Sequence, residues 1–282
     1  MDGILLINKE PNMTSRDVVN KVCHLLNTKK VGHTGTLDPI ATGVLVLAIN
    51  KGLKIVNEIT SLDKEYEAEI TLGIETDTLD ITGNTLSTKE VNVTNEDIDK
   101  VLNTFIGDYN MEVPIYSAIK VNGKKLYEYA RNNEEVDIPT HKVKVYELIR
   151  TSDIKDNKFS IKCKVSKGTY IRSLVRDISK ELGTVGVMSK LNRTKQGKFD
   201  INDCYTLKDI EQGNYKLLDI KEVLNLPIVE IPNSIYKKVI NGNKIENSFN
   251  YDKFIFEKDN KIIAIYELDS ESSLLKPLHM FI

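Results

Sequence analysis

The residue best suited to chemistry in this sequence is Asp38, which lies in a loop rich in small residues. The loop runs from Gly32 to Gly43. Pro39 follows the aspartate and restricts Asp38 to extended backbone geometry. Such a loop can hold a carboxylate at a rigid, partly buried position. An Asx-type turn, in which the carboxylate only accepts hydrogen bonds from local backbone donors, fits the same residues and is favoured by composition alone.

Two further segments carry residue types that could act with this carboxylate. In Ser166–Ser173, Gly168 allows a tight turn and Arg172 projects from the first turn of the following helix, where it could hold a buried carboxylate in a bidentate pair. The segment Pro114–Tyr127, which includes Lys120, interleaves aromatic rings with lysines, as a surface that binds single-stranded nucleic acid requires. A surface arginine and a hairpin with solvated lysines are the ordinary alternatives.

The sequence has no pattern for a metal or a nucleotide cofactor. Its four histidines lie far apart, and no phosphate-binding glycine loop or nucleophile elbow is present. We therefore expect no cofactor and no metal. Three widely spaced cysteines predict a reducing compartment and a cytoplasmic protein. No apolar run approaches the roughly 18 residues of a membrane helix, so no membrane association is expected.

Composition predicts a globular chain with an uneven charge distribution. The 282 residues are 40% hydrophobic and 28% charged, with a net charge of −2, and this length suggests two domains. Residues 51–100 hold 5 Lys/Arg against 12 Asp/Glu, a net of −7, whereas residues 155–198 hold 12 against 3, a net of +9. A local basic region can recruit a polyanion. Two solvated faces of opposite sign would give the same counts.

Hydrophobic periodicity predicts the elements that must position these residues. Alternation and helical spacing indicate strands and helices in an order typical of an α+β fold with a mostly antiparallel sheet. Beyond residue 226, short strands between turn residues predict a small all-β unit. The expected division is a first domain over residues 1–227 and a second over 228–282. The main predicted elements are strands at 3–7, 64–73 and 159–166, and helices that begin near Thr14, Thr94 and Tyr170.

Several segments, taken in their order along the chain, closely resemble the motifs of bacterial tRNA pseudouridine-55 synthases. They cover about residues 4–199, and the tail resembles a PUA domain. The opening departs from the family pattern, since Lys9-Glu10-Pro11-Asn12 stands where the family has Lys-Pro-x-Gly. The matching segments are Lys30–Leu45, Lys64–Tyr66, Thr76–Gly83, Pro114–Arg131, Ser166–Arg172 and Leu191–Thr194.

The resemblance implies a fold, a reaction and a partner. The fold would be that of pseudouridine synthases, with a mixed, mostly antiparallel sheet flanked by helices and a PUA-like β domain. The reaction would convert uridine 55 in the TΨC loop of tRNA to pseudouridine after the base is flipped out of its stack, without a cofactor. The partner would be the T arm and loop of tRNA, bound by a monomer that needs no obligate protein partner.

The resemblance also assigns roles to individual residues. Asp38 is similar to the essential aspartate and Tyr66 to the tyrosine that lies against the target base. We hypothesise that Arg172 pairs with Asp38 and keeps it anionic. The remaining expected substrate-binding residues are His33 beside the flipped base, Tyr170 and Leu191 as pocket walls, and Lys9, Asp80 and Lys120 from the matching segments.

Two other functions are compatible with these residues. The first is an RNA-binding protein or tRNA-folding chaperone in which catalysis is secondary, and an Asp38→Asn variant of such a protein would bind and fold tRNA as well as the wild type. The second is a hydrolytic N-glycosidase, which would release uracil and leave an abasic site. The mass of treated tRNA separates hydrolysis from isomerisation, because isomerisation leaves the mass unchanged.

Overall fold

The computed structural model describes residues 1–282, which form eighteen strands and eight α-helices. The strands are β1 Gly3–Lys9, β2 Val31–His33, β3 Thr42–Ile49, β4 Lys64–Leu72, β5 Ile74–Thr76, β6 Thr85–Thr88, β7 Gly107–Glu112, β8 Lys120–Val121, β9 Lys124–Lys125, β10 Thr140–Arg150, β11 Lys158–Val165, β12 Gly186–Gln196, β13 Phe199–Asp200, β14 Ile228–Glu230, β15 Ile245–Glu246, β16 Lys253–Lys258, β17 Lys261–Leu268 and β18 Leu274–Met280. The helices are α1 Ser15–Leu25, α2 Val56–Thr60, α3 Asn95–Thr104, α4 Leu126–Arg131, α5 Ile171–Glu181, α6 Leu207–Glu211, α7 Ile220–Leu224 and α8 Tyr236–Ile240.

A nine-stranded sheet forms the centre of the molecule. Its main path runs β1-β3-β12-β4-β11-β10-β7, with β2 beside β3 and β13 beside β12. Only β3 and β12 pair in parallel, and the other neighbours are antiparallel. The parallel contact needs Gly43, since a Cβ there would lie 2.2 Å from the Arg193 carbonyl oxygen. The predicted mixed, mostly antiparallel sheet is confirmed.

Strands β1 and β3 each contribute to two hydrophobic cores because successive side chains of a strand point to opposite faces. Leu5, Ile7, Leu45 and Leu47 pack into a core that includes apolar residues of α1 and α5. On the other face, residues such as Ile4 pack with residues of β16 and β17. The near-continuous apolar character of these two strands follows from this double burial.

The helices that support the site begin where the sequence predicts. Thr14 caps α1 and Thr94 caps α3, each through a capping box with an aspartate at the third helical position. Tyr170 precedes α5, and Gly168 in the preceding turn has a φ of +80°, a conformation that favours glycine. The first turn of α5 therefore faces the sheet with Ile171 and Arg172 buried.

A separate five-stranded sheet follows in the order β14-β16-β17-β18-β15. It has its own aromatic core around Phe254, Phe256 and Tyr266. The predicted C-terminal β domain is thus confirmed, while its boundary at residue 228 stays a prediction. None of the helices has the length and apolar character needed to cross a membrane.

Candidate active site

The loop between β2 and β3 presents Asp38, and contacts on both sides of the aspartate fix it. On one side, the Ser15 hydroxyl accepts from the Leu37 N–H at 2.9 Å and donates to the Leu37 carbonyl at 3.3 Å. On the other side, the Lys9 ammonium donates to the Pro39 carbonyl at 3.2 Å. Because the residues before and after it are held from β1 and α1, the Asp38 carboxylate has a defined position.

Arg172 meets this carboxylate from the first turn of α5. Its Nε donates to Asp38 Oδ2 at 2.9 Å and its Nη2 to Asp38 Oδ1 at 3.0 Å, which makes a bidentate pair. The guanidinium also donates to the carbonyls of Thr78 at 2.9 Å and Tyr116 at 3.1 Å. The side chain of Arg172 is 6% exposed and that of Asp38 is 31% exposed, so the cation is buried and the anion reaches the surface.

The exposed side of Asp38 opens into a cleft of ≈ 670 Å³. Three of the predicted residues, Tyr66, Tyr170 and Leu191, line it together with Asp38. Tyr66 and Leu191 lie on neighbouring strands β4 and β12, and Tyr170 comes from the turn before α5. The cleft thus combines a carboxylate with aromatic and aliphatic walls, as a site for one flat, uncharged ring would.

Tyr66 lies buried on β4 directly opposite Arg193 of β12. Burial raises the pKa of the Tyr66 hydroxyl, while the neighbouring Arg193 guanidinium works in the opposite direction and only reduces the shift. The phenol is therefore protonated at neutral pH. In this state its oxygen can donate a hydrogen bond, but it is a weak base.

Two predicted substrate-binding residues do not line the cleft but hold its loops. The buried Lys9 donates to the carbonyls of Glu10 at 2.9 Å and Met13 at 2.7 Å besides that of Pro39. Asp80 Oδ1 accepts from the Thr78 hydroxyl and from both the N–H and the hydroxyl of Thr82. Asp80 therefore shapes the turn whose Thr78 carbonyl holds Arg172.

The other two predicted residues, His33 and Lys120, do not line the cleft either. His33 ends β2, and burial together with nearby Arg16 and Arg193 lowers its pKa, so the ring is neutral at neutral pH. Its Nδ1 is buried without a hydrogen-bond partner. Lys120 is exposed in the β8–β9 hairpin, and its contact with RNA stays a prediction.

Lys64 and Arg193 also line the cleft, although neither was among the predicted site residues. Lys64 shares the buried face of β4 with Tyr66 and Ala68. A lysine at a position that alternates with buried residues is the sequence signal that could have identified it. Arg193 lay within a recognised segment, but its position opposite Tyr66 depends on strand pairing between distant residues. Its Nε donates to the Val44 carbonyl at 2.7 Å and its Nη2 to the Gly35 carbonyl at 3.3 Å.

Much of the basic segment 155–198 is neutralised on the open face of the sheet. Lys162, Lys164 and Lys190 each pair with a glutamate of a neighbouring strand, at 3.8, 3.9 and 2.9 Å. These three lysines therefore contribute cross-strand ion pairs to the sheet. Lys167, in the turn before α5, forms no ion pair and lines the cleft.

Two family models match most of the chain. Residues 23–171 match the TruB family pseudouridylate synthase N-terminal domain, and residues 172–225 match the tRNA pseudouridylate synthase B C-terminal domain. The junction between them falls inside α5, immediately before Arg172. In three dimensions the two matched segments form one sheet, because β12 of the second segment pairs with β3 and β4 of the first.

Individual relatives match the whole chain. A tRNA pseudouridine synthase B of Caldanaerobacter subterraneus subsp. tengcongensis is 42% identical over 100% of this chain and 99% of its own length. A Bacillus subtilis protein of the same name is 40% identical over 98% and 96%. Among solved structures, a chain of a Cbf5-Nop10-Gar1 complex has a TM-score of 0.68 and 25% identity over 94% of this chain and 78% of that one. A chain of an H/ACA RNP bound to a substrate RNA has a TM-score of 0.66 at 24% identity, over 94% and 77%, and supports the fold.

Proposed function

The chain belongs to the TruB family of pseudouridylate synthases, and from this membership we propose that it isomerises uridine 55 in the TΨC loop of tRNA. The relatives named tRNA pseudouridine synthase B support tRNA as the substrate. The observation that carries the proposal is the bidentate Arg172–Asp38 pair at the wall of a cleft lined by Tyr66, Tyr170 and Leu191.

In the proposed reaction the C1′–N1 glycosidic bond breaks, the base turns, and C5 bonds to C1′ in its place. The proton at C5 leaves and a proton is gained at N1, so the product has the mass of the substrate. Glycosidases use two carboxylates and admit water. An isomerase needs one carboxylate and must exclude water until the detached base is recaptured.

Asp38 supplies that one carboxylate, to act on the sugar or on the pyrimidine. Arg172 favours its anionic form and fixes both of its oxygens, which leaves a single orientation toward the cleft. Because Asp38 is 31% exposed in the free protein, the nucleotide that enters the cleft must itself complete the exclusion of water.

The walls of the cleft fit a flipped pyrimidine. Extruding a base costs a few kcal/mol, which stacking on an aromatic ring offsets. Tyr66 and Tyr170 offer such rings and Leu191 an apolar surface. His33, neutral and half-buried at the end of β2, would lie near the space that the base leaves or enters.

The partner in this proposal is the T arm and loop of tRNA, bound by a monomer. Lys120, in the β8–β9 hairpin, would contact the RNA backbone. This hairpin follows Tyr116, whose carbonyl accepts a hydrogen bond from Arg172. Recognition would rest on the shape and phosphates of the folded arm, with the flipped base read in the cleft.

The test is incubation of the full-length protein with an unmodified tRNA transcript, followed by site-specific mapping of pseudouridine and by mass measurement. The proposal predicts one pseudouridine at position 55 at unchanged mass. Release of uracil would instead identify an N-glycosidase. Unmodified RNA after prolonged incubation, with binding intact, would identify an RNA-binding protein or chaperone.

A further inference from the structure

Three cations that line the cleft have no carboxylate partner: Lys64, Lys167 and Arg193. Lys64 is 7% exposed and Arg193 is 1% exposed. The Lys64 ammonium donates to the carbonyls of Thr60 at 2.7 Å and Leu62 at 2.6 Å, and the acceptors of Arg193 are likewise carbonyls. Lys167 is exposed at the mouth of the cleft and has no side-chain hydrogen bond.

The fold brings these like charges together. Lys64 and Tyr66 share one face of β4, and Arg193 faces Tyr66 from β12, so the two buried cations lie on one patch of the sheet. Arg193 and Lys167 both repel the Lys64 ammonium, and only Asp63 attracts it. Lys142, which lines the same cleft, differs from them because its ammonium lies 3.0 Å from Asp108.

Buried cations without an anion are costly, because each loses hydration that nearby carbonyls restore only in part. An anion that enters the cleft would offset this cost without reorganising the protein, since carbonyls already fix the two buried cations. Asp38 and the three cations line the same cleft, so the anion must be covalently joined to the nucleotide that reaches Asp38. In RNA, the anionic group joined to every nucleoside is its flanking phosphodiester.

We propose that Lys64, Lys167 and Arg193 form a subsite for the backbone phosphodiester next to the flipped nucleotide. Lys64 and Lys167 contact the phosphate, and Arg193 adds its charge from beneath. The inference rests on the proposed function, because the phosphate belongs to the RNA whose uridine reacts at Asp38. The cleft would then bind the base and sugar beside Asp38 and the neighbouring backbone phosphate at the three cations.

The experiment measures binding of an unmodified T-arm stem-loop RNA as a function of salt, with Asp38→Asn in every protein so that the RNA stays unreacted. Loss of one phosphate contact lowers the slope of log affinity against log salt by about 0.7. We expect this change, with affinity about tenfold weaker, for Lys167→Met and for Lys64→Met. Because the Lys167 side chain donates to no carbonyl, Lys167→Met should fold normally. It therefore remains informative if Lys64→Met unfolds.

The matched control is Lys190→Met, whose lysine is already paired with Glu69 on the open sheet face and which should keep the original slope. A methylphosphonate removes the negative charge of one RNA linkage, and linkages around the target uridine can be replaced one at a time. One replacement should weaken binding of the parent protein but not of Lys167→Met. Unchanged slopes and affinities in both cleft variants, or no such linkage, would overturn the subsite. Pseudouridine formation by the wild type, measured separately, tells this failure from a failure of the proposed function.

Discussion

Arg172 divides its hydrogen bonds between Asp38 and the wall of the cleft. Two go to the Asp38 carboxylate and two to the carbonyls of Thr78 and Tyr116, which belong to separate loops. One side chain thus fixes the anion and joins it to two further segments of the cleft wall. A lysine has a single nitrogen and cannot reproduce this planar arrangement.

We therefore expect Arg172→Lys to lower the single-turnover rate of isomerisation by about 100-fold or more, because a small displacement of a reacting group has an effect of this size. Arg172→Ala, which leaves the carboxylate without its cation, should be slower still. Rapid-quench measurement at saturating enzyme gives both rates. Wild-type turnover in the two variants would refute the pairing as a source of activity.

Tyr66 offers a test that removes a single oxygen atom. Because burial keeps its phenol protonated, we expect Tyr66→Phe to retain RNA affinity within about threefold through its ring. Its turnover should fall by about 100-fold if the hydroxyl takes part in proton transfer at C5. A Phe variant with full turnover would leave only a packing role for Tyr66.

The charge of Lys64 should make RNA affinity depend on pH. Burial, with the like charges of Arg193 and Lys167, lowers the pKa of Lys64 to about 8. The cation is therefore present below this pH and is lost as the pH rises through it. RNA affinity should weaken between about pH 6.5 and about pH 9 in the wild type, but much less in Lys64→Arg, whose guanidinium stays charged. Parallel titrations at constant ionic strength compare the two, and identical profiles would contradict the assignment.

At the scale of elements, the loop of Asp38 is held from beneath by β1. Lys9 joins three carbonyls, of which the Pro39 carbonyl lies directly after the aspartate. The departure of this opening from the family pattern, with Glu10 and Asn12, leaves the lysine contact intact. Asn12 itself adopts a φ of +63°, and its N–H donates to the Pro39 carbonyl at 2.8 Å.

We expect Lys9→Met to lower the free energy of unfolding by about 1–2 kcal/mol, since the carbonyls of Glu10 and Met13 lose their donor while that of Pro39 keeps the Asn12 N–H. Turnover should fall because Asp38 loses its fixed position, while RNA affinity stays near that of the wild type. Thermal unfolding, the rate and the dissociation constant separate these effects. A large loss of affinity at unchanged rate would instead make Lys9 a direct contact with substrate.

Local patterns predicted the elements well and their contacts less well. The alternation of residues 64–73 and the capping residues Thr14 and Thr94 specify structure through neighbours in sequence, and these elements are confirmed. The Arg172–Asp38 contact was anticipated through a resemblance, since 134 positions separate the two residues. Arg193 was missed because it reaches Tyr66 only through the register between β12 and β4, which no local pattern determines.

At the scale of the whole molecule, the two sheets share a core. Residues of β1 and β3 pack with Ile255, Ile265 and Phe281 of the C-terminal region. Polar contacts cross the same boundary, among them His279 with Glu58 at 2.7 Å and Lys221 with Glu257 at 2.5 Å. The division at residue 228, which remains a prediction, therefore does not imply two independent folding units.

We expect the full chain to unfold in one cooperative thermal transition, because neither sheet can leave without exposing the shared apolar core. A chain that ends at residue 227 should unfold at a lower temperature, since it exposes residues such as Ile4 and Val44. Differential scanning calorimetry measures both. Two resolved transitions in the full chain would contradict this coupling.

The proposed chemistry depends on the Asp38 carboxylate that Arg172 holds. The most direct measurement compares wild type and Asp38→Asn in single turnover on unmodified tRNA, with the dissociation constant of each measured in parallel. The substitution keeps the size of the side chain and removes its negative charge. We expect RNA affinity within about threefold of the wild type and no detectable pseudouridine. Isomerisation by Asp38→Asn at the wild-type rate would contradict it.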